Sequence, residues 1–263
     1  MKDFKFLKKY GQNFLSDKNL LNAIVTDGEV DERTTVLEVG PGAGALTRAI
    51  LSKCKKLVSV EIDDRLIPEL QGEFGSCDKF TLINKDFMKM TDSEIKELVG
   101  EDYRVVANIP YYISTSLIMR FLEGEVKPKS VTVMVQKEVA ERLTAKAGVD
   151  AYGVISVAVA LRGKAKITRN VNRKMFFPVP DVDSAVVHIT LDEDVNPEVE
   201  KVMKLVRQAF AMRRKTLRNN LVKGMGVDGE KFDKAITQMG LDVAVRGEKL
   251  TPEQFVELYN LLK

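Results

Sequence analysis

The stretch TTVLEVGPGAGAL, residues 34–46, decides how the rest of the chain is read. Residues 34–40 form a short apolar run closed by glycine, the pattern of a strand buried on both faces. Gly40, Gly42 and Gly44 follow at a spacing of two. Such glycines let the backbone turn tightly and approach a ligand closely. The chain then passes into ALTRAILSKC (45–54), which has helical periodicity. A strand, a glycine loop and a helix in that order place a ligand at the carboxyl end of the strand. The dinucleotide fingerprint GxGxxG needs glycine at position 45, where Ala45 stands, so a pyrophosphate reading is weakened.

Working outward, KLVSVEID (56–63), KFTLINKD (79–86), YRVVANI (103–109) and SVTVMVQ (130–136) read as further buried strands. Helix-like stretches such as DSEIKELVG separate them, which implies a parallel sheet covered on both faces. AKITRNV (164–170) and SAVVHITL (184–191) are two more strand candidates, able to pair antiparallel at one edge. QNFLSDKN reads as a helix start, with Ser16 or Asp17 as its cap. The second strand ends at Glu61, about 20 residues past the first glycine, where a carboxylate can accept both hydroxyls of an adenosine ribose. The third ends at Asp86, whose carboxylate can accept from an adenine amino group, and the fourth at Asn108. Polar groups thus converge where consecutive strands stop.

From Asp192 the text changes to amphipathic helices, with start signals at Asn196-Pro197 and Thr251-Pro252. The reading is therefore an α/β fold, a mostly parallel Rossmann-like sheet with an antiparallel edge strand, over residues 1–191. A small all-α domain over residues 192–263 follows it. The hydrophobic fraction of 44% is ample for a core in a chain of 263 residues. No apolar run of 18 residues or more occurs, so no membrane span is expected. The basic N-terminus lacks the apolar stretch of a secretory signal. Cys54 and Cys77, without CxxC spacing, suit a reducing cytoplasm and offer no zinc site, and no metal is expected. The lone histidine, His188, sits in an alternating strand run, which argues against a serine triad. Between Lys201 and Lys223 there are eight Lys or Arg and no Asp or Glu, and the first nine residues hold four lysines. Two basic patches on a near-neutral chain point to a polyanionic partner.

These residues carry a resemblance. EVGPGAG (38–44) resembles the first motif of class I S-adenosylmethionine methyltransferases. NIPYY (108–112) resembles the (N/D)-(I/L)-P-(Y/F) motif of those that methylate exocyclic amines. With GQNFL (11–15), QKEVAERL (136–143), FFPVPDVDSAVV (176–187) and AFAMRRKTLRNNL (209–221), nearly the whole chain is similar to the bacterial small-subunit rRNA adenine N6,N6-dimethyltransferase family.

The resemblance implies that the cofactor is S-adenosylmethionine, with S-adenosylhomocysteine as product. Asn13 and Leu15 would close over its methionine end and ribose. Gly40 and Gly42 would lie against it, Glu61 would hold the ribose and Asp86 the adenine amino group. Asn108 would sit beside the donor methyl, with Glu38 supporting the loop from behind. The chemistry explains why a strand would end in an amide, a proline and two aromatic rings. The donor already carries a good leaving group, so the need is to free and aim the delocalised lone pair of adenine N6. Carbonyls of Asn108 and Ile109 can accept the two N6 hydrogens, and no strong base is required. Pro110 stiffens the turn and Tyr111 offers a stacking ring. Phe176 resembles the family's second stacking residue, with Phe177 as the nearby alternative.

The target base must leave its stack, which loop RNA makes cheap. Arg213, Arg214, Lys215 and Arg218 on a basic helix would contact phosphates, with Asn219 and Asn220 as hydrogen-bonding partners. The expected partner is small-subunit (16S) rRNA, methylated at two adjacent adenosines near its 3′ end. The expected protein is a cytoplasmic monomer. The competing readings are a large-subunit methyltransferase of the macrolide-resistance type, a ribosome-assembly factor that keeps only the fold, and a nicotinamide-dependent oxidoreductase. The last leaves NIPYY and the basic segment unexplained.

Overall fold

The computed structural model describes residues 14–263. A two-residue strand β1 (Phe14–Leu15) precedes helix α1 (Lys18–Asp27). The Asp17 side chain accepts from the Leu20 amide at 2.8 Å and so starts α1, satisfying one of its orphan amides. Strands and helices then alternate as β2 (Thr35–Val39), α2 (Ala45–Leu51), β3 (Lys56–Glu61), α3 (Ile67–Phe74), β4 (Phe80–Asn84) and α4 (Asp92–Val99). They continue as β5 (Arg104–Asn108), α5 (Ser114–Glu123), β6 (Ser130–Gln136), α6 (Lys137–Leu143) and α7 (Val154–Ala160). The strands β7 (Gly163–Val171), β8 (Phe176–Phe177) and β9 (Ser184–Leu191) come next. Helices α8 (Val199–Ala209), α9 (Leu217–Met225), α10 (Gly229–Gln238) and α11 (Pro252–Leu262) close the chain.

Seven strands form one sheet in the order β4-β3-β2-β5-β6-β9-β7. The run from β4 to β6 is parallel, as the sequence pattern predicts, whereas β9 runs antiparallel to the interior strand β6, with β7 beside it at the edge. Residues such as Val36, Leu57, Val58, Val105, Val106, Val131 and Val133 are fully buried. Each such side chain stabilises the sheet by about 1.5–3 kcal/mol relative to exposure. The chain order reverses direction between β2's two neighbours, β3 and β5, and the carboxyl ends of these strands form the crevice expected of an open α/β sheet. His188 is a strand residue, buried on β9. Its Nδ1 lies 2.8 Å from Thr132 Oγ1, and burial pushes its imidazole below the usual histidine range.

The chain divides into two compact units. The first comprises the described residues up to Ala140 together with Ala165–Leu191, and the second Glu141–Lys164 with Asp192–Lys263. The segment 141–164, which the sequence pattern assigns to the sheet domain, therefore belongs with the helices. Its helix α7 reads VISVAVA, and Ile155 through Val159 are all buried. A helix apolar on every side has no preferred face, so its pattern names no partner. In the second unit α7 packs on α8. The Tyr152 hydroxyl donates to the Leu250 carbonyl at 2.8 Å, and the Phe210 ring sits against both Tyr152 and Phe255. Thr251 caps α11 at the start that Thr251-Pro252 predicts, and the structure adds a reciprocal box with Gln254. At Asn196-Pro197 the helix begins later, at Val199, because Asn196 Oδ1 accepts from the Glu198 amide in a local turn. No described helix is long and apolar enough to cross a membrane.

Candidate active site

A cavity of about 520 Å³ opens at the carboxyl ends of β2, β3, β4 and β5, wholly within the first unit. Its wall begins with the glycine loop. Gly40 has φ +73° and its amide donates to the Val60 carbonyl, so the chain leaves β2 in a left-handed turn over the end of β3. A Cβ at Gly40 would stand 3.6 Å from Pro110 Cδ, filling the gap between this loop and the next. Gly44 also has positive φ (+76°), and a Cβ there would meet the Phe74 ring at 2.5 Å. Here the glycine serves helix packing rather than the cavity.

Two carboxylates stand behind and beside this loop. Glu61 ends β3 with its Oε2 accepting from the Gly42 amide at 3.1 Å and its Oε1 from the Asp63 amide at 2.9 Å. Its orientation is thereby fixed toward the cavity. Burial raises its carboxyl above the usual range, against the pull of those amides. Glu38 is buried one layer deeper. Its Oε2 accepts from Thr47 Oγ1 at 2.8 Å and Ser59 Oγ at 2.7 Å. Burial pushes its carboxyl up to about 7, and the neighbouring Glu61 pushes the same way. Asp86 follows β4, and its Oδ1 accepts from the Met88 amide at 3.0 Å. Ile62 and Met88, both exposed, line the cavity next to these two carboxylates. The sequence reading did not name them, although each follows a site carboxylate within two positions. Leu21, Ile24, Leu46 and Met134 also line the cavity, and in sequence they are indistinguishable from core.

Asn108 is the last residue of β5, paired in register with Met134. Its side-chain amide makes no hydrogen bond to another described residue and lines the cavity with Ile109, Pro110 and Tyr111. Pro110 sets the extended turn (φ −55°, ψ 132°) that leads into a single 3-10 turn, Tyr111–Ile113. Leu15, Gly40, Gly42, Glu61, Asp86, Asn108, Pro110 and Tyr111 therefore meet around one cavity. Asn13 lies outside the described residues.

The structure does not bring Phe176 to the cavity. β8 pairs antiparallel with β1, Leu15 opposite Phe176 and Phe14 opposite Phe177. Alternation along the strand turns Phe176 into the core beside Leu15 and Val171, at 3% exposure, and turns Phe177 outward at 68%. The second stacking ring assigned to Phe176 is corrected accordingly. Of the two rings, Phe177 is the exposed one.

The basic segment also differs from a continuous helix. Arg213, Arg214 and Lys215 lie in the turn before α9, which Thr216 caps. Arg213 Nη2 donates to the Asp150 carbonyl at 2.9 Å, and Arg218 forms a two-pronged ion pair with Asp233. Asn220 is fully buried, donating to the Ala209 and Met212 carbonyls, so it is a structural residue rather than an RNA contact. Arg214 and Lys215 make no ion pair with a described residue.

An open sheet of this order, with a glycine loop held under the carboxylate that ends the next strand, defines a class I methyltransferase. Two solved structures similar to it are of rRNA or adenosine methyl-transferring enzymes. The 23S rRNA methyltransferase ErmE is 25% identical, with TM-score 0.74 over 95% of this chain and 99% of that one. A dimethyladenosine transferase from Plasmodium falciparum is also 25% identical, with TM-score 0.76 over 93% and 95%. The family model described as ribosomal RNA adenine dimethylase matches residues 3–263, and the chain belongs to that family. Among curated relatives, ribosomal RNA small subunit methyltransferase A of Clostridium botulinum (strain Langeland) is 43% identical over 97% of this chain and 94% of that protein. The Bacillus licheniformis protein of the same name is 40% identical over 99% and 92%.

Proposed function

We propose that this enzyme transfers methyl groups from S-adenosylmethionine to N6 of two adjacent adenosines near the 3′ end of small-subunit rRNA. The observation that carries the reading is the single cavity onto which Gly40, Glu61, Asp86 and the Asn108–Tyr111 turn all face. The residues fit such a cofactor. The volume is that of a ligand site of ordinary size. The side-chain-free Gly40 leaves room for close approach, and the carboxylates at the ends of β3 and β4 match a ribose diol and an adenine amino group. When bound, the cofactor supplies a methyl on a positively charged sulfur. Asn108 Oδ1 and the Ile109 carbonyl accept the two N6 hydrogens of the target adenine. The nitrogen becomes more tetrahedral, and its lone pair is aimed at the methyl. Tyr111 carries the face of the base. The proton leaves from a strongly acidic product cation, so no side chain need act as a strong base. The identity of 40–43% to small-subunit methyltransferases, against 25% to the 23S enzyme, supports the small subunit as substrate.

The test is transfer of labelled methyl to small ribosomal subunits lacking the modification, with large subunits alongside. Two methyls on each of two adjacent adenosines support the reading. Label on the large subunit moves the enzyme to the other branch of the fold, and binding without label leaves an assembly factor.

Two variants bear on the ligands separately. Glu61→Gln removes the charge and turns one end of the side chain into a donor facing the Gly42 or Asp63 amide. Loss of a charge-assisted bond costs about 2 kcal/mol, so cofactor affinity falls about thirtyfold by calorimetry. Reversing Arg214 and Lys215 to glutamate weakens RNA binding. The slope of log affinity against log salt decreases by about 1.5. Arg218, already paired with Asp233, contributes less to that slope than either.

A further inference from the structure

The face of the Tyr111 ring is held from both ends. Its hydroxyl lies 2.7 Å from Ser184 Oγ, and its backbone carbonyl accepts from Ser114 Oγ at 3.0 Å. Both serines are buried, Ser184 completely. Ser184 is not on a pliable loop. It is the first residue of β9 and pairs with Gln136 at the end of a seven-residue ladder to β6. The residue before it is tied twice, since the Asp183 carbonyl accepts from the Lys137 amide and its Oδ1 from the Arg173 amide. In the sheet order β5-β6-β9, the tyrosine leaves the end of β5 and its hydroxyl reaches the end of β9, passing the end of the strand between them. Burial drives the phenol above its usual range, so the hydroxyl stays protonated and acts as a fastening rather than a base.

We propose that Ser184 is a positioning residue for methyl transfer: its hydrogen bond to the Tyr111 hydroxyl fixes the plane of the ring on which the target adenine stacks. This rests on the reading of the cavity as an adenine-methylating site. Transfer depends on aligning the N6 lone pair with the methyl to within a fraction of an ångström, so a ring free to tilt lowers the rate more than it lowers RNA binding. Binding is dominated by phosphate contacts elsewhere. The second transfer is affected more than the first, because monomethyl-adenine must be re-aimed with a single remaining hydrogen to hold it.

The test is a two-by-two set: Ser184→Ala, Tyr111→Phe and both together, measured for turnover on the RNA substrate, cofactor affinity, urea midpoint and the ratio of monomethyl to dimethyl product. Each single variant is expected to lower kcat about tenfold, leave the RNA KM and cofactor affinity within about twofold, and accumulate monomethyl-adenosine. In the Tyr111→Phe background, Ser184→Ala is expected to have no further effect, because the two groups act as one. Tyr111→Phe tests the same bond from the partly exposed side if the buried variant fails to fold. Independent, multiplying effects, or losses explained by stability or cofactor affinity, overturn the proposal. An unmodified enzyme that transfers no methyl to adenine overturns the reading beneath it as well.

Discussion

Replacing Asn108 by alanine is expected to lower methyl transfer about a thousandfold while cofactor and RNA affinities stay within about twofold. The size follows from what the side chain offers. The Asn108 amide ends β5 at the cavity wall without a hydrogen bond to any described residue, so its carbonyl is available to the base. An acceptor that engages the N6 hydrogens most strongly as the nitrogen becomes tetrahedral stabilises the transition state more than the ground state. Loss of such a pre-aimed group costs about 4 kcal/mol, and the loss falls on kcat. Asn108→Asp keeps an acceptor in place and is expected to lose far less, about tenfold. Single-turnover transfer with both ligands saturating reads the chemical step directly. Equal losses in the two variants would show that the amide's donor side, not its acceptor, matters. Unchanged turnover in Asn108→Ala would remove the residue from the mechanism.

Asn108, Glu61 and Asp86 were legible in the sequence because each ends an apolar run, and the ends of consecutive parallel strands must converge. What the sequence could not supply depends on pairings between distant segments. Phe176 and Phe177 are the same residue type side by side. Only the pairing of β8 with Phe14–Leu15 decides which ring is buried. Arg218 reads as a free cation until α10 brings Asp233 against it from 15 positions away. Asn220 reads as a polar surface residue, yet it is buried by the turn it ties together. Segment 141–164 groups with the helices, and its α7, apolar but for Ser156, carries no face that names a partner. The site was legible from local order, and the parts built by tertiary contact were not.

The second large effect concerns stability, and its sign depends on pH. Glu38 is fully buried behind the glycine loop. Two hydroxyls donate to one of its oxygens, and the charge that acts on it is another carboxylate, Glu61. Burial raises its folded-state pKa from 4.5 to about 7. The folded protein thus binds a proton that the unfolded chain has released, throughout the window between those values. Stability contributed by this group is complete below the unfolded value and is lost as pH rises through the folded one. Glu38→Gln is neutral at every pH and similar in shape, and the Thr47 and Ser59 hydroxyls can turn to suit it. The variant is therefore expected to gain stability relative to the natural protein by about 2.5 kcal/mol between about pH 5 and about pH 8. Urea midpoints of both proteins across that range measure the difference, whatever constant offset the substitution introduces. A flat difference would mean that Glu38 stays ionised in the folded state, and that the glycine loop rests on a buried charge. A difference that grows with pH would mean that the loop rests on a neutral acid, and that the negative potential at the cavity comes from Glu61 and Asp86 rather than from the residue beneath them.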